Sequence, residues 1–397
     1  MNRALPLVVF VALSACGTGA ARVATGSAPS AATALRALPR YTLPRTVADS
    51  ITTHQLAPGI TQHDLVRNAG PLRAHVLDID LAQCVSIRAV KGGPTAVGRA
   101  TTTALLQGVP AEARAIAAVN ADFFVFAPPG VPVNAMVVDG QLLSGPIKRP
   151  VLAIDAERRP FIGLLTVAGT VVSARGRLPF TFWNRPSATG LGVIDAAWGQ
   201  PLDTLVRRTA LLLLPSGARA QPRRYVVAAL PVSHDGLARG DTLMLVGRSR
   251  GALQSGDTVT VDATLAPMIP MQAVGGHPLL LRDSVIVPTV DTEGAESFRG
   301  LNPRTAAGYA DSGRRLLLVV IDGRQPGYSV GTTVRETAAL LRDLGAREAL
   351  NLDGGGSTAM IVRDPTSGKV HTVNKPSDAT GERPVGNAVV VTGSCRG

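Results

Sequence analysis

Aromatic side chains are scarce in this sequence: Phe, Trp and Tyr together make up 4% of its 397 residues. A nucleic-acid platform interleaves aromatic rings with basic residues. Here the 40 Lys and Arg are scattered, and few basic runs exceed two. The formal net charge of +12 is therefore read as a solvated basic surface, and nucleic acid is not an expected partner. Such a surface still attracts anionic polymers and phosphate-bearing substrates. No Cys/His set has zinc-ligand spacing, and beyond the N-terminal segment no apolar run is long enough to cross a bilayer. Charged residues are also few, at 17%, whereas 42 Gly and 29 Pro are plentiful. That balance favours many short strands and turns over long helices.

Three cysteines divide between two expectations. Arg3 precedes an apolar run from Ala4 to Leu13 that fits a signal-peptide core, and Leu13-Ser14-Ala15-Cys16 resembles the bacterial lipobox, in which the cysteine is lipidated. Residues 1–16 are thus expected to form a lipoprotein signal, with Cys16 as the membrane anchor of an exported protein in a bacterial cell envelope. Residues 17–45 have the small, polar, Pro-containing composition of a tether, which leaves 46–397 as the folded region. Cys84 and Cys395 remain, and in an oxidising compartment a disulfide between them is expected.

Along the folded region the alternation of His75-Val76-Leu77-Asp78-Ile79-Asp80-Leu81 reads as strand. A short helix is expected around Thr102–Gln107, and Ile116–Val119 reads as a buried strand running into Asn120-Ala121-Asp122. Residues 133–143 read as a hairpin turned at Asp139-Gly140. Residues 150–265 are a succession of β-like runs without a titratable cluster, expected to be scaffold and a candidate subdomain.

The last third carries more chemistry. Arg315–Ile321 is a continuous apolar strand ending at Asp322-Gly323-Arg324. Thr333 and Glu336 have capping-box spacing, so a helix should begin near Val334 and stop at Gly345. Ala349–Leu352 is the next strand and ends at Asp353-Gly354-Gly355-Gly356-Ser357. Strand, helix and strand predict a C-terminal βαβ unit within an α+β, strand-rich mixed-sheet domain. Its parallel strands would bring Asp322 and Asp353 to one sheet edge.

Six segments then carry a resemblance: "NADFF" (120–124), "VGGHPLLL" (274–281), "NPRTAAG" (302–308), "VVIDGRQPGYSVGTT" (319–333), "NLDGGGSTAM" (351–360) and "RPVGNAV" (383–389). Together, over roughly 70–393, they resemble the ordered motifs of the phosphodiester glycosidase family. The resemblance implies hydrolysis of a sugar C1–O–phosphate linkage, releasing sugar and a phosphomonoester. Phosphate is already a good leaving group, so the site must chiefly hold an anion, stabilise an oxocarbenium-like sugar and supply a carboxylate.

Asp353 is the expected carboxylate at the reacting centre, with Asp322 as second acid or base. Glu336 is divided between a catalytic role and mere capping. The amides of Gly354, Gly355 and Gly356 with Ser357 form a candidate anion nest. Arg304 and Arg324 are candidate phosphate clamps, since a guanidinium binds two phosphate oxygens. Asn120 and Asp122 are candidates for sugar hydroxyls or for supporting the acids; Gly276, Thr332 and Arg383 complete the set through their motifs. His277, before Pro278, reads as a turn histidine. The expected substrate is an envelope or extracellular glycan with phosphodiester bonds. No cofactor is required by these residues, though two acids beside phosphate leave a divalent cation open. Two alternatives stand beside this reading: a metal-assisted phosphodiesterase that cleaves P–O, and a non-catalytic lipoprotein that binds anionic glycan.

Overall fold

The computed structural model describes residues 48–394, apart from 186–189, 218–222, 232, 248–252 and 294–298. The lipobox with Cys16, the whole of the tether, and Cys395 lie outside the described residues. Cys84 is disulfide-bonded, and nearby Ser86 Oγ donates to the Ser394 carbonyl at 2.8 Å.

Four sheets carry the described structure, and nearly every neighbouring pair of strands is antiparallel. One of two eight-stranded sheets runs Ser50–Ala57, Ile60–Arg67, Leu72–Asp80, Arg315–Ile321, Arg304–Ala310, Glu348–Asn351, Leu279–Arg282, Val285–Ile286. A five-stranded sheet is centred on Ala115–Asn120, flanked by Met360–Arg363 and Asn387–Thr392. A second five-stranded sheet contains the expected hairpin, Met136–Val138 with Gln141–Ser144. Asp139 and Gly140 have φ of 48° and 79° there, the left-handed pair that a two-residue hairpin turn needs.

Arg315–Ile321 reads as continuous apolar sequence because both of its faces are covered. Leu316, Leu318 and Val320 enter a core shared with both five-stranded sheets. Leu317, Val319 and Ile321 pack under the helix Val334–Asp343 through Val334, Ala338 and Leu341. Each such side chain is worth about 1.5–3 kcal/mol of burial, so this strand anchors the sheet that presents the Asp322 loop.

The βαβ expectation needs correction. Arg315–Ile321 and Glu348–Asn351 are not neighbours: Arg304–Ala310 lies between them and pairs antiparallel with both. The tight turn Asp311–Gly313 folds Arg304–Ala310 back onto Arg315–Ile321, so the crossover helix must deliver its strand one place further along. The two outer strands still run in the same direction. Their ends are separated by two strand spacings, roughly 10 Å.

The strands between Thr166 and Ala266 form a sheet of their own, Gly176–Phe180, Thr166–Ser173, Thr258–Ala266, Arg224–Ala229, Leu211–Ser216, Leu243–Val246, Gly192–Ile194, Phe182–Trp183. Pro150–Ile154 and Pro160–Leu164 belong instead to the second five-stranded sheet, beside Gln272–Gly275.

Candidate functional site

Asp353 sits where two sheets meet. Its N–H donates to the Ala121 carbonyl at 2.8 Å, and its own carbonyl accepts from Asn120 Nδ2 at 2.7 Å. Asn120 is fully buried, and its Oδ1 accepts from Thr305 Oγ1 and the Ala359 amide. Asn120 therefore fixes the Asp353 backbone and has no free edge for a sugar. The Asp353 carboxylate, partly open to solvent, accepts from the Gly354 amide at 3.0 Å. Dense packing pushes Asp353 up to about 6, against the pull of Ser357, the Gly354 amide and the Arg383 charge. Ser357 Oγ and Thr358 Oγ1 are buried without a hydrogen-bond partner, so Ser357 acts on Asp353 from beyond ordinary hydrogen-bond geometry.

The glycines after Asp353 are required by space. A Cβ on Gly354 would lie 2.7 Å from the Pro303 carbonyl oxygen, and one on Gly356 would lie 2.1 Å from Asp378 Oδ1. A Cβ on Gly355 would stand 3.1 Å from Arg324 Nη2, so that guanidinium lies directly over the loop. Arg383 forks onto Asp378 at 2.9 and 3.2 Å and closes the opposite side.

A second acid close enough to feel the Asp353 charge is Asp122. It is 2% exposed, its Oδ2 accepts from the Asn134 amide at 2.9 Å, and its own N–H donates to Asn387 Oδ1 at 2.7 Å. Burial pushes it up to about 7; the Asn134 amide opposes the rise, the Asp353 charge adds to it, and Arg185 opposes it. Two acids whose charges repel do not ionise together, and their protons leave in two steps. Gly275 makes room for the pair, since a Cβ there would fall 2.5 Å from Asp122 Oδ2. Asn134, Arg185 and the role of Asn387 have no signature in their local sequence; only the fold brings them to Asp122.

Asp322, expected to face Asp353, is instead the hub of a buried network. It is 1% exposed. Its Oδ1 accepts from Asn374 Nδ2 and the Lys375 amide, and its Oδ2 accepts from Tyr328 Oη at 3.2 Å and lies 3.4 Å from His75 Nε2. His75 Nδ1 contacts Asp64 Oδ1 at 2.6 Å. Burial pushes the His75 imidazole down, but hydrogen bonds and charge from Asp322 and Asp64 outweigh it and raise His75 to about 9. The strand between the two loops accounts for the separation of Asp322 from Asp353.

Four further candidates, Arg304, Thr332, Glu336 and Gly276, also take structural places. Arg304 is 3% exposed, and its guanidinium donates to the Thr332 and Gly300 carbonyls at 2.9 and 2.8 Å. It holds the chain beneath the site and is not presented to a phosphate. Burial, with the like charge of Arg324, lowers it to about 10. Thr332 is buried with its hydroxyl on Thr337. Glu336 closes the capping box, accepting from Thr333 N at 2.8 Å while Thr333 Oγ1 accepts from Glu336 N at 3.1 Å. Gly276 packs against the Asn351 carbonyl and Leu350, and His277 brackets Asn351 through backbone and amide hydrogen bonds. Arg324 differs from Arg304: it is exposed, at φ 59°, and among the described residues its guanidinium is held by Asn302 Oδ1 at 3.1 and 2.9 Å. Among the described residues no group of three or more His, Cys, Asp and Glu gathers as a metal site.

Residues 222–392 match the family model described as phosphodiester glycosidase, which supports a hydrolase acting on phosphodiesters. Asn120 and Asp122 lie outside the matched span. A hypothetical protein from Synechocystis superposes at TM-score 0.68 with 22% identity over 86% of this chain; the aligned region is 63% of that protein's length. A protein from Burkholderia pseudomallei, named only as exported, superposes at TM-score 0.60 with 27% identity over 84% of this chain and 76% of its own. The zebrafish N-acetylglucosamine-1-phosphodiester alpha-N-acetylglucosaminidase catalytic domain, auto-inhibited by its pro-peptide, is more distant, at TM-score 0.45 and 16% identity over 88% and 94% of the two chains. No curated protein matches.

Proposed function

We propose that this protein hydrolyses the C1–O bond of a sugar phosphodiester in an envelope or extracellular glycan, with Asp353 as the carboxylate at the reacting centre. The observation that carries this reading is the grouping around Asp353: a half-open acid titrating near neutrality, a glycine loop permitting close approach, and an exposed guanidinium above that loop. A phosphodiester anion seated at the loop would be held by the exposed Arg324 guanidinium. Asp353 in its ionised form then attacks C1 or activates water, and phosphate departs without needing a strong acid. Asp122, sealed behind Asp353, is a positioning residue that keeps its proton longer because Asp353 is already charged. In the same proposal an N-terminal lipid on Cys16 holds the enzyme at a membrane face.

The test is hydrolysis of a panel of sugar-1-phosphodiesters in oxygen-18 water, with and without a chelator. Label in the released sugar supports C–O cleavage, whereas label in the phosphate would sink the glycosidase reading in favour of a phosphodiesterase. Equal background from wild type and Asp353→Asn across the panel would favour a binding protein.

A further inference from the structure

Next to the cleft, the hub around Asp322 holds an arrangement that hydrolysis of one bond does not require. Tyr328, its hydroxyl anchored on Asp322, is flanked by two cations: Arg73 Cζ is 5.5 Å and Lys375 Nζ 5.1 Å from its ring centroid. Their backbones are pinned to the same hub. The Lys375 amide donates to Asp322 Oδ1, and the Asp322 amide donates to the Arg73 carbonyl. Gln325, the residue after Arg324, donates from Nε2 to the Lys375 carbonyl at 2.9 Å, which ties this cluster to the Arg324 loop. Among the described residues neither Arg73, Lys375 nor Arg324 has a carboxylate within ion-pair distance. The two acids beneath, Asp64 and Asp322, are already bridged by His75. Cations fixed on an aromatic face and left without acids form a ready anion site.

We propose that Arg73, Lys375 and Tyr328 form a second anion subsite, which takes the next phosphate along a chain with repeating phosphodiester groups. This rests on the reading of the Asp353 cleft given above and narrows its substrate class to a phosphodiester-linked polymer. The cleft then holds the phosphate being cleaved under Arg324 while the Tyr328 cluster grips its neighbour. Two tethered contacts raise affinity because the second forms at high effective concentration.

Calorimetry tests this without turnover, using glycerol 3-phosphate and a linear trimer of glycerol phosphate as probes. The wild type is expected to bind the trimer at least ~10-fold more tightly than the monomer. The double variant Arg73→Ala/Lys375→Ala should lose that preference while keeping its affinity for the monomer, with an unchanged circular-dichroism melt. Trimer binding equal to the wild type's would overturn the proposal. So would a thymidine trinucleotide of matched charge binding as tightly as the glycerol phosphate trimer. The two readings fail separately: trimer preference without any sugar release removes the glycosidase, and sugar release without trimer preference removes the subsite.

Discussion

Raising the pH should remove the stabilisation that one buried side chain, His75, contributes to the fold. Its imidazole has an ordinary value of 6.5 and is held at about 9 between Asp64 and Asp322. A raised base stabilises the fold most below its unfolded value, and that stability is lost as pH rises through the folded value. At ~1.4 kcal/mol per pH unit, the whole effect is on the order of 3 kcal/mol, of which about 2 kcal/mol disappears between pH 7.5 and 9.5. The assay is urea unfolding followed by circular dichroism at several pH values, comparing wild type with His75→Gln. The variant should be weaker at pH 7.5 and lose far less above it, because glutamine has no proton to release in that range. Lys91, which burial lowers to about 8, titrates in both proteins and cancels in the difference. Parallel stability curves for the two proteins above pH 7.5 would refute the reasoning.

Asp353→Asn should cut turnover by about 10²–10⁴-fold with the fold intact. In the wild type kcat/KM should rise with pH through about 6 as Asp353 ionises. An inflection near 7 should be absent from Asp122→Asn. Arg324→Ala should raise KM roughly 10–100-fold, the loss of one charge-assisted contact of ~1.5–3 kcal/mol, and leave the melting temperature nearly unchanged. Arg304→Ala should do the reverse, lowering stability by about 2–3 kcal/mol in urea titrations, because the buried Thr332 carbonyl and the more open Gly300 carbonyl lose a charged donor. Gly356→Ala should abolish activity in a protein that still folds, since its Cβ would displace the Asp378–Arg383 pair; an active Gly356→Ala would count against the packed loop described here.

What could be read from local sequence was what local physics controls. The capping box at Thr333 and Glu336, the two-faced strand Arg315–Ile321 and the turn at Asp139-Gly140 depend on neighbours a few residues away. Asp353 could be placed at a strand end ahead of closely packed glycines, because an apolar run followed by glycines marks such a junction. Its partner was misread, because the pairing with Asp122 is made by strands of two different sheets, through Asp353 N–H on Ala121 and Asn120 on Asp353. No periodicity encodes such a meeting. Arg304 and Arg324 looked equivalent in their motifs, and only burial separates a structural guanidinium from an available one.

The sheet between Thr166 and Ala266 pairs only with itself among the described residues, the usual sign of a module that evolution can trim or exchange. Yet Arg185, emerging from it, donates to the Gly145 and Val133 carbonyls and to Ser144 Oγ, and its charge bears on Asp122. A lineage that swapped this module for another would alter the acid pair's ionisation in the same event. Diversification of the accessory sheet would thus carry the working pH of the cleft along with it.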